Sequence, residues 1–452
     1  MTDRPSLAIL LAAGKGTRMK SARPKVMHAI AGQAMVVHAV SAAKQAGCGQ
    51  FALVLAPGMD DVAEAVKAVD PAAETFLQDE QLGTAHAVLA ARDAIDGFEG
   101  DILVLYGDTP LLTPETLGAI RKRLQDGADV AVLGFEARDP AGYGRLITGD
   151  DGSLLAIREH KEATDEEKKV SFCNSGVFAF NGLVALGLLD KIGNENAKGE
   201  YYLTDAVEIA RRDDLKVATV ACDEEEVLGV NSRAQLAEAE ATLQRQLRDK
   251  AMEEGVTLIA PETVFLSRDT QLSRDVVIEP NVFFGPGVVV EEGATIRAFS
   301  YLEDAHVGKD AVIGPYARLR PGAKIGAEAR IGNFVEVKNA TLEEGAKANH
   351  LTYIGDATVG AGANVGAGTI TCNYDGFAKH RTDIGPGAFI GSNSALVAPV
   401  KIGAGAYVGS GSVISRDVPD NALAVTRGPL DQRENWAERM RKRHQRAKGN
   451  KA

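Results

Sequence analysis

From residue 272 to residue 414 the chain places one aliphatic or aromatic residue at every sixth position. The frame begins Leu272, Ile278, Phe284, Val290, Ile296, Leu302. A five-residue step moves it to Val307, Ile313, Leu319, Ile325, Ile331, Val337. Two more such slips lead to Leu342, Ala348, Ile354 and then to Val359, Val365. After an interruption it resumes as Ile384, Ile390, Leu396, Ile402, Val408 and Ile414, often with Gly or Ala next in line. An α-helix turns once every ~3.6 residues and cannot hold a six-residue frame on one face. An antiparallel sheet would show turn signals between its strands. A parallel β-helix satisfies the frame, with three hexapeptides per coil and coils stacked at the ~4.8 Å strand spacing.

Ahead of this region the period is different. Ser6 to Ala13, Gln50 to Ala56, Asp101 to Tyr106, Asp129 to Phe135 and Phe172 to Phe180 read as strands. Met35 to Gly47, Asp60 to Val69 and Thr84 to Ala94 between them carry apolar residues at three-to-four spacing. That alternation predicts an α/β domain with a mostly parallel sheet covered on both faces. Ser232 to Glu254 lacks Gly and Pro and predicts one connecting helix, its apolar positions Leu236, Leu243 and Leu247. The expected domains are therefore 1–231, a helix at 232–254, the β-helix at 255–430 and a tail at 431–452. From Arg433 to Lys451 the tail holds eight basic and two acidic residues, and predicts a helix fraying into a solvated basic end.

Composition narrows the function. The 50 Lys and Arg against 62 Asp and Glu give a net charge of −12, which excludes a general nucleic-acid binder but not a local pocket for a phosphorylated metabolite. Cys48, Cys173, Cys222 and Cys372 lie far apart without ligand spacing, so neither a disulfide scaffold nor a zinc ribbon is expected. Leu7 to Ala13 is too short for a signal-peptide core, and no apolar run reaches the ~18 residues of a membrane span, so a cytoplasmic protein is expected.

Leu10 to Met19 (LLAAGKGTRM) leaves the first strand as a glycine loop. Met19 stands where a dinucleotide fingerprint has its third glycine, and Gly16 stands where a Walker loop has Ser or Thr. What the loop offers is close backbone approach to a nucleotide, with Arg18 and the cations of Arg23-Pro24-Lys25 beside it, suited to stabilising a leaving pyrophosphate. Downstream stand Gln78, Gln81-Leu82-Gly83-Thr84, Tyr106-Gly107-Asp108, Gly142-Tyr143-Gly144-Arg145, Glu159-His160-Lys161, Asn174-Ser175-Gly176, Gly199-Glu200-Tyr201-Tyr202 and Gly229-Val230-Asn231.

This motif set resembles the sugar-nucleotide pyrophosphorylases. With a hexapeptide region behind it, about 420 residues resemble the family of bifunctional N-acetylglucosamine-1-phosphate uridylyltransferase/glucosamine-1-phosphate N-acetyltransferases. The resemblance implies a Rossmann-like nucleotidyltransferase domain joined to a left-handed β-helix. It implies that Leu11, Ala12, Ala13, Gly14, Gln78, Gly83 and Thr84 hold uracil and ribose, and that Arg18 and Lys25 face the phosphates. Gly144, Glu159, Asn174 and Tyr202 would receive the amino-sugar, and Asp108 and Asn231 would hold Mg²⁺, hard oxygen ligands for an ion that bridges phosphates. Ser175 stands where related proteins commonly have Thr. No catalytic role is assigned to His28, His38, His86 or His160.

In the second half, a histidine within the coils is the evident base for an attacking amine, and His350 in His350-Leu351-Thr352-Tyr353 supplies one. The resemblance makes His350 the catalytic base and Glu336 its orienting carboxylate. It assigns Arg320, Lys338, Tyr353 and Asn364 to the amino-sugar phosphate, and Asn373, Tyr374, Ser392 and Ser410 to acetyl-CoA. Lys379 and Arg427 are candidates for the CoA phosphates. The largest break in the frame, Cys372 to Asp383, is where an inserted functional loop is expected.

The favoured reading is a two-site enzyme: acetyl-CoA acetylates glucosamine-1-phosphate, and UTP then uridylylates the N-acetylglucosamine-1-phosphate, releasing pyrophosphate. A homotrimer is implied, with no nucleic-acid or membrane partner. A single-activity nucleotidylyltransferase with a regulatory β-helix is the alternative, and a non-enzymatic regulatory subunit a third. His350 with the Asn373-Tyr374 loop speaks against the former, and the set Arg18, Lys25, Asp108 and Asn231 against the latter.

Overall fold

The computed structural model describes residues 4–150, 152–196 and 198–449, and the chain divides into two compact units. The first comprises residues 1–250 with 266–268, the second 251–265 with the remainder.

The first unit is built on strands β1 (Ser6–Leu11), β2 (Gln50–Leu55), β3 (Glu74–Leu77), β4 (Asp101–Tyr106), β5 (Val130–Glu136), β6 (Arg145–Thr148), β7 (Leu154–Arg158), β8 (Phe172–Asn181) and β9 (Val217–Cys222). The sheet runs β9-β5-β8-β4-β1-β2-β3, with β6 joined to β8 and β7 to β6. β1 pairs in parallel with β2 and β4, as apolar runs buried on both faces require. Leu7 and Ile9 enter one core with Val54, Val104 and Val132, while Ala8 and Leu10 enter the other with Leu53, Leu105 and Leu133. β8, expected only as a strand of a mostly parallel sheet, runs antiparallel to both β4 and β5. Composition carries no strand direction, and β8 follows the β6–β7 hairpin rather than a crossover helix. The helix expected over Thr84 to Ala94 is broken at Ala91 into Thr84–Ala90 and Arg92–Ile95. The long helix spans Arg233–Glu253, with Ala239 and Leu243 buried beside Ile30, Met35 and Val230.

The second unit is a left-handed β-helix whose short strands form three parallel sheets. Within each sheet, frame residues stack on frame residues: Ile278 on Ile296, Ile296 on Ile313, Ile313 on Ile331. Among the aliphatic positions only Leu272, on the first coil, is incompletely buried. Two residues before each runs a second frame, small and equally buried: Ala294, Ala311, Ala329, Ala346, Ala363 and Ala388. Val276, Val282, Val288 and Val335 hold the same frame on other coils and faces, also buried. The interruption conceals one further frame position. Thr371 lies six residues after Val365 and is buried, its Oγ1 accepting from Gly355 N at 2.8 Å and donating to Gly355 O at 3.1 Å. A hydroxyl in an aliphatic slot is tolerated because backbone partners satisfy it. At the end of the chain, Trp436–Gly449 forms a helix.

Candidate functional sites

The first site lies at the C-terminal ends of β1 and β4, where α/β sheets open their ligand crevices. A cavity of about 370 Å³ is lined by Leu11, Ala12, Ala13, Gly14, Lys25, Gln78, Gly83, Thr84 and Asp108, so nine of the expected residues meet there. Local geometry explains why. Gly83 has φ +120°, and a Cβ on it would fall 2.5 Å from Tyr201 O and 2.6 Å from Tyr201 N. Only glycine lets this loop seat against the Tyr201 backbone, which donates to Leu82 O and accepts from Ala85 N. Gly16, at φ +58°, plays a similar part toward Lys25, whose Cβ would be 2.6 Å from an added methyl. Lys25 is thereby pressed inward, its ammonium donating to Asp108 Oδ2 and, at 3.0 Å, to Asn231 Oδ1. Asn231 arrives because Val230 N donates to Asp108 O at 2.9 Å, tying the two segments together.

Beyond Tyr106 lie the residues expected to receive the amino-sugar. Asn174 N donates to Gly144 O at 2.8 Å, Glu159 Oε1 accepts from Thr204 Oγ1 at 3.3 Å, and Asn174 Oδ1 accepts from Gly176 N at 3.0 Å. Burial raises the Glu159 carboxyl above the usual range and the Tyr202 phenol likewise. Burial pushes the Tyr106 hydroxyl up to about 12 against the bond it shares with Thr84, so it stays a neutral donor. Arg18, expected to face the phosphates, is exposed on the turn Thr17–Met19 and does not line this cavity. Of the five lining residues that received no role from sequence, three sit in quoted motifs: Gln81, whose Nε2 donates to Ala13 O at 2.6 Å, Tyr106 and Glu200; Val26 and Ala87 do not.

Asp108 Oδ2 and Asn231 Oδ1 converge on one cationic atom, the Lys25 nitrogen. A carboxylate and an amide oxygen meeting at a point suit Mg²⁺, which takes oxygen ligands and keeps waters and phosphates as the rest.

The second site is on the β-helix. His350 is exposed, and Asn333 is its partner in register on the neighbouring coil. His350 Nδ1 lies 2.7 Å from Asn333 Oδ1. An amide oxygen there accepts, so Nδ1 carries the proton and Nε2 keeps its lone pair. Glu336 does not take this position. Its carboxylate accepts from Arg320 at 2.7 Å and lies 3.9 Å from Arg318, on the adjoining sheet. The expected pair of Glu336 and His350 is therefore not formed within the chain, and the side chain that meets the ring is that of Asn333. The reason is the coil length: Asn333 stands one coil before His350 in the same sheet, whereas Glu336 is already round the corner.

Around Glu336 the cations gather. Lys379 sits beside Lys338, and its ammonium holds Lys338 below the usual lysine range. Two like charges side by side, with Arg320 near, suit an anion. Lys379 thus joins the group expected for the sugar phosphate. Asn373 Nδ2 reaches the Tyr353 hydroxyl at 3.4 Å and Asp356 Oδ2 at 2.5 Å. Burial alone would raise the Asp356 carboxyl; hydrogen bonds from Asn339 and Asn373 and the charges of Lys379 and Lys338 bring it below the usual range. Asn364 lies on the sheet of His350, paired with Lys347. The loop after Cys372 closes on itself: Asp375 accepts from Phe377 N, Ala378 N and His380 Nε2, and Tyr374 donates to Gly376 O at 2.7 Å. Phe377 at its tip is 97% exposed. Further along, Ser392 O accepts from Gly411 N at 2.8 Å, and Arg427 lies across Gly409, one residue before Ser410. These three candidates form a line down successive coils of the sheet that carries His350.

Comparison with known proteins agrees with this two-part architecture. A model of the MobA-like NTP transferase domain matches residues 8–170, and the bacterial transferase hexapeptide model, of six repeats, matches 304–339 and 381–416. The chain is 58% identical over 449 residues to the bifunctional protein GlmU of Xanthobacter autotrophicus, covering 99% of this chain and all of that one. It is 60% identical over 441 residues to the bifunctional protein GlmU of Azorhizobium caulinodans, covering 98% of each. With the Nitrobacter hamburgensis protein of the same name the identity is 56% over 441 residues, covering 98% of this chain and 97% of that one.

Proposed function

We propose, for a chain that belongs to the GlmU family of bifunctional proteins, that its two units divide two consecutive reactions between them. The protein is an enzyme of UDP-N-acetylglucosamine biosynthesis, with acetyltransferase and uridylyltransferase activities. The observation that carries the division is that each unit holds a chemically complete cluster, Lys25 with Asp108 and Asn231 in one and His350 with Asn333 in the other.

On the β-helix, Arg320, Lys338 and Lys379 hold the phosphate of glucosamine-1-phosphate, with Tyr353 and Asn364 contacting the sugar. Nε2 of His350 takes a proton from the attacking amine while Asn333 keeps the ring in the matching tautomer. The amine nitrogen bonds to the thioester carbonyl carbon, the carbon–sulfur bond breaks, and the CoA thiolate takes the proton from His350 Nε2 and leaves as the thiol. Asn373, Tyr374, Ser392, Ser410 and Arg427 are the proposed acetyl-CoA contacts.

In the first unit the backbone from Leu11 to Gly14, with Gln78, Gln81, Gly83 and Thr84, seats the uridine. Gly144, Glu159, Asn174 and Tyr202 orient N-acetylglucosamine-1-phosphate so that its phosphate oxygen attacks the α-phosphorus of UTP in line. The new P–O bond forms as the bond to the β-phosphate oxygen breaks and pyrophosphate leaves. Lys25, with Arg18 swinging in from solvent, neutralises the departing charge. Asp108 and Asn231 would hold Mg²⁺, whose chemistry is to polarise phosphate oxygens and screen their charge. A cytoplasmic homotrimer completes the proposal.

Two assays on the purified protein test the division: thiol release from acetyl-CoA with glucosamine-1-phosphate, and pyrophosphate release from UTP with the acetylated sugar. His350→Ala is expected to abolish the first and spare the second, and Asp108→Asn to do the reverse. Equal loss of both activities in either variant would sink the two-site assignment.

A further inference from the structure

The proposed metal ligands are not waiting open in the free protein. We infer that Lys25 is a built-in counter-cation that fills the Mg²⁺ position until a nucleotide triphosphate draws it away, so that the metal enters only together with nucleotide. This rests on the reading of Asp108 and Asn231 as the metal ligands.

Three observations carry it. First, one nitrogen accepts the attention of both candidate ligands: Lys25 Nζ donates to Asp108 Oδ2 and to Asn231 Oδ1, the latter at 3.0 Å. An ammonium keeps its oxygens at ~2.7–3.0 Å and Mg²⁺ keeps them at ~2.1 Å, so on the same side of the two oxygens the positions lie within about 1 Å of each other and exclude joint occupancy. Second, the lysine is held there from behind. Gly16 leaves only enough room for the Lys25 stem, and the side chains of Lys25 and Asp108 are just 11% and 17% exposed. Water therefore competes weakly for the ammonium. Third, the charges balance only in this arrangement. Asp108 and Lys25 neutralise each other, since no other carboxylate is paired with Lys25 among the described residues. A divalent ion arriving alone would have to expel Lys25 and then sit beside it, two cations sharing one carboxylate.

A triphosphate removes that obstacle. Its oxygens give the ammonium a new set of acceptors and supply the negative charge that lets both cations stay. Lys25 thus has two successive partners, Asp108 in the free enzyme and phosphate in the complex. The device keeps the carboxylate from capturing a cation in the absence of substrate, and makes the metal–nucleotide complex the species that binds.

The test is direct metal binding, read from the electron paramagnetic resonance of free Mn²⁺, on nucleotide-free protein at constant ionic strength. Wild type should bind Mn²⁺ weakly. Lys25→Met should bind one equivalent at least tenfold more tightly, and Lys25→Gln, which tolerates a polar environment better if the Met variant does not fold, should do the same. Lys25→Arg, still cationic, should stay close to wild type. The gain should vanish in Lys25→Gln/Asp108→Asn. No gain in either folded neutral variant, while Asp108→Asn still weakens Mn²⁺ binding in the presence of UTP, would overturn the inference and leave the metal ligands in place. A gain that survives the double substitution, or an Asp108→Asn protein that binds Mn²⁺ and UTP as wild type does, would instead remove Asp108 from the metal site and the inference with it.

Discussion

Replacing Asn333 separates what holds the acetyl-transfer base from what surrounds it. Asn333→Ala removes one hydrogen bond, from His350 Nδ1 to Oδ1 at 2.7 Å, and little packing, since Asn333 is only half-buried. The bond matters most in the transition state, when His350 takes the amine proton and becomes a cation. A hydrogen bond to a charged group is worth about 1.5–3 kcal/mol, or about 10- to 150-fold in rate at ~1.4 kcal/mol per decade. His350 is exposed in the chain, so water replaces part of the lost bond and the lower end of that range applies. The expected result is a fall in kcat of about tenfold, with the KM for glucosamine-1-phosphate little changed, because the bond strengthens only as the proton moves. Thiol release followed with a chromogenic disulfide measures both constants. Glu336→Gln is the companion. Its carboxylate holds Arg320 rather than His350, so its effect should fall on KM and leave kcat within about threefold. The reverse pattern, a tenfold kcat loss in Glu336→Gln and none in Asn333→Ala, would refute the assignment of Asn333 and restore Glu336 as the orienting group.

Other consequences are open to simpler measurements. Gly83→Ala forces a Cβ to within 2.5 Å of the Tyr201 carbonyl oxygen at a φ of +120°, and should cost about 3 kcal/mol. A raised KM for UTP and a lower Tm for the first unit are expected, with acetyl transfer intact; an unshifted Tm would contradict the geometry. Asp205 has its carboxyl raised to about 6, first by burial and then by Glu162, Glu208 and Glu159. The folded state binds that proton more tightly than the unfolded chain, so stability falls as pH climbs from about 4 to 6, and the full cost persists above. Asp205→Asn should therefore stabilise the protein at pH 7.5, by at most about 2 kcal/mol after allowing for solvent screening, and far less at pH 4. Equal gains at both values in urea unfolding would rule this out. Sedimentation should give a trimer, and a monomer with full acetyltransferase activity would reject the proposed assembly.

The β-helix was readable because its frame is a packing rule: one aliphatic side chain points inward per face, and nothing else in a soluble fold keeps a period of six. The same frame contained the partner of His350. One coil with a single five-residue slip is 17 residues, and 17 before His350 stands Asn333, while Glu336 falls on the next face. Register rather than motif held that information. Thr371 escaped because a hydroxyl does not read as core unless its backbone partners are known. In the first unit the alternation of strands and helices foretold a sheet with a core on each face, but the direction of β8 depends on a hairpin, not on composition. The cavity residues were legible as motifs. That Lys25 meets Asp108 and Asn231 was not, because the bond between Val230 and Asp108 that brings them together is between backbone atoms.

The stacking of Ile296 on Ile313 and of Ile313 on Ile331 also bears on how the chain is made. Each new coil finds its partner seventeen or eighteen residues back, already in place if synthesis proceeds from the N-terminus. Each rung needs only the coil before it, so the coil can accrete turn by turn as it leaves the ribosome, each finished rung serving as template for the next. The bare template edge then exists only briefly at the growing end. The loop at Cys372–Asp383 is the one delay in that progression, since Val365 must wait for Ile390 before its rung is closed.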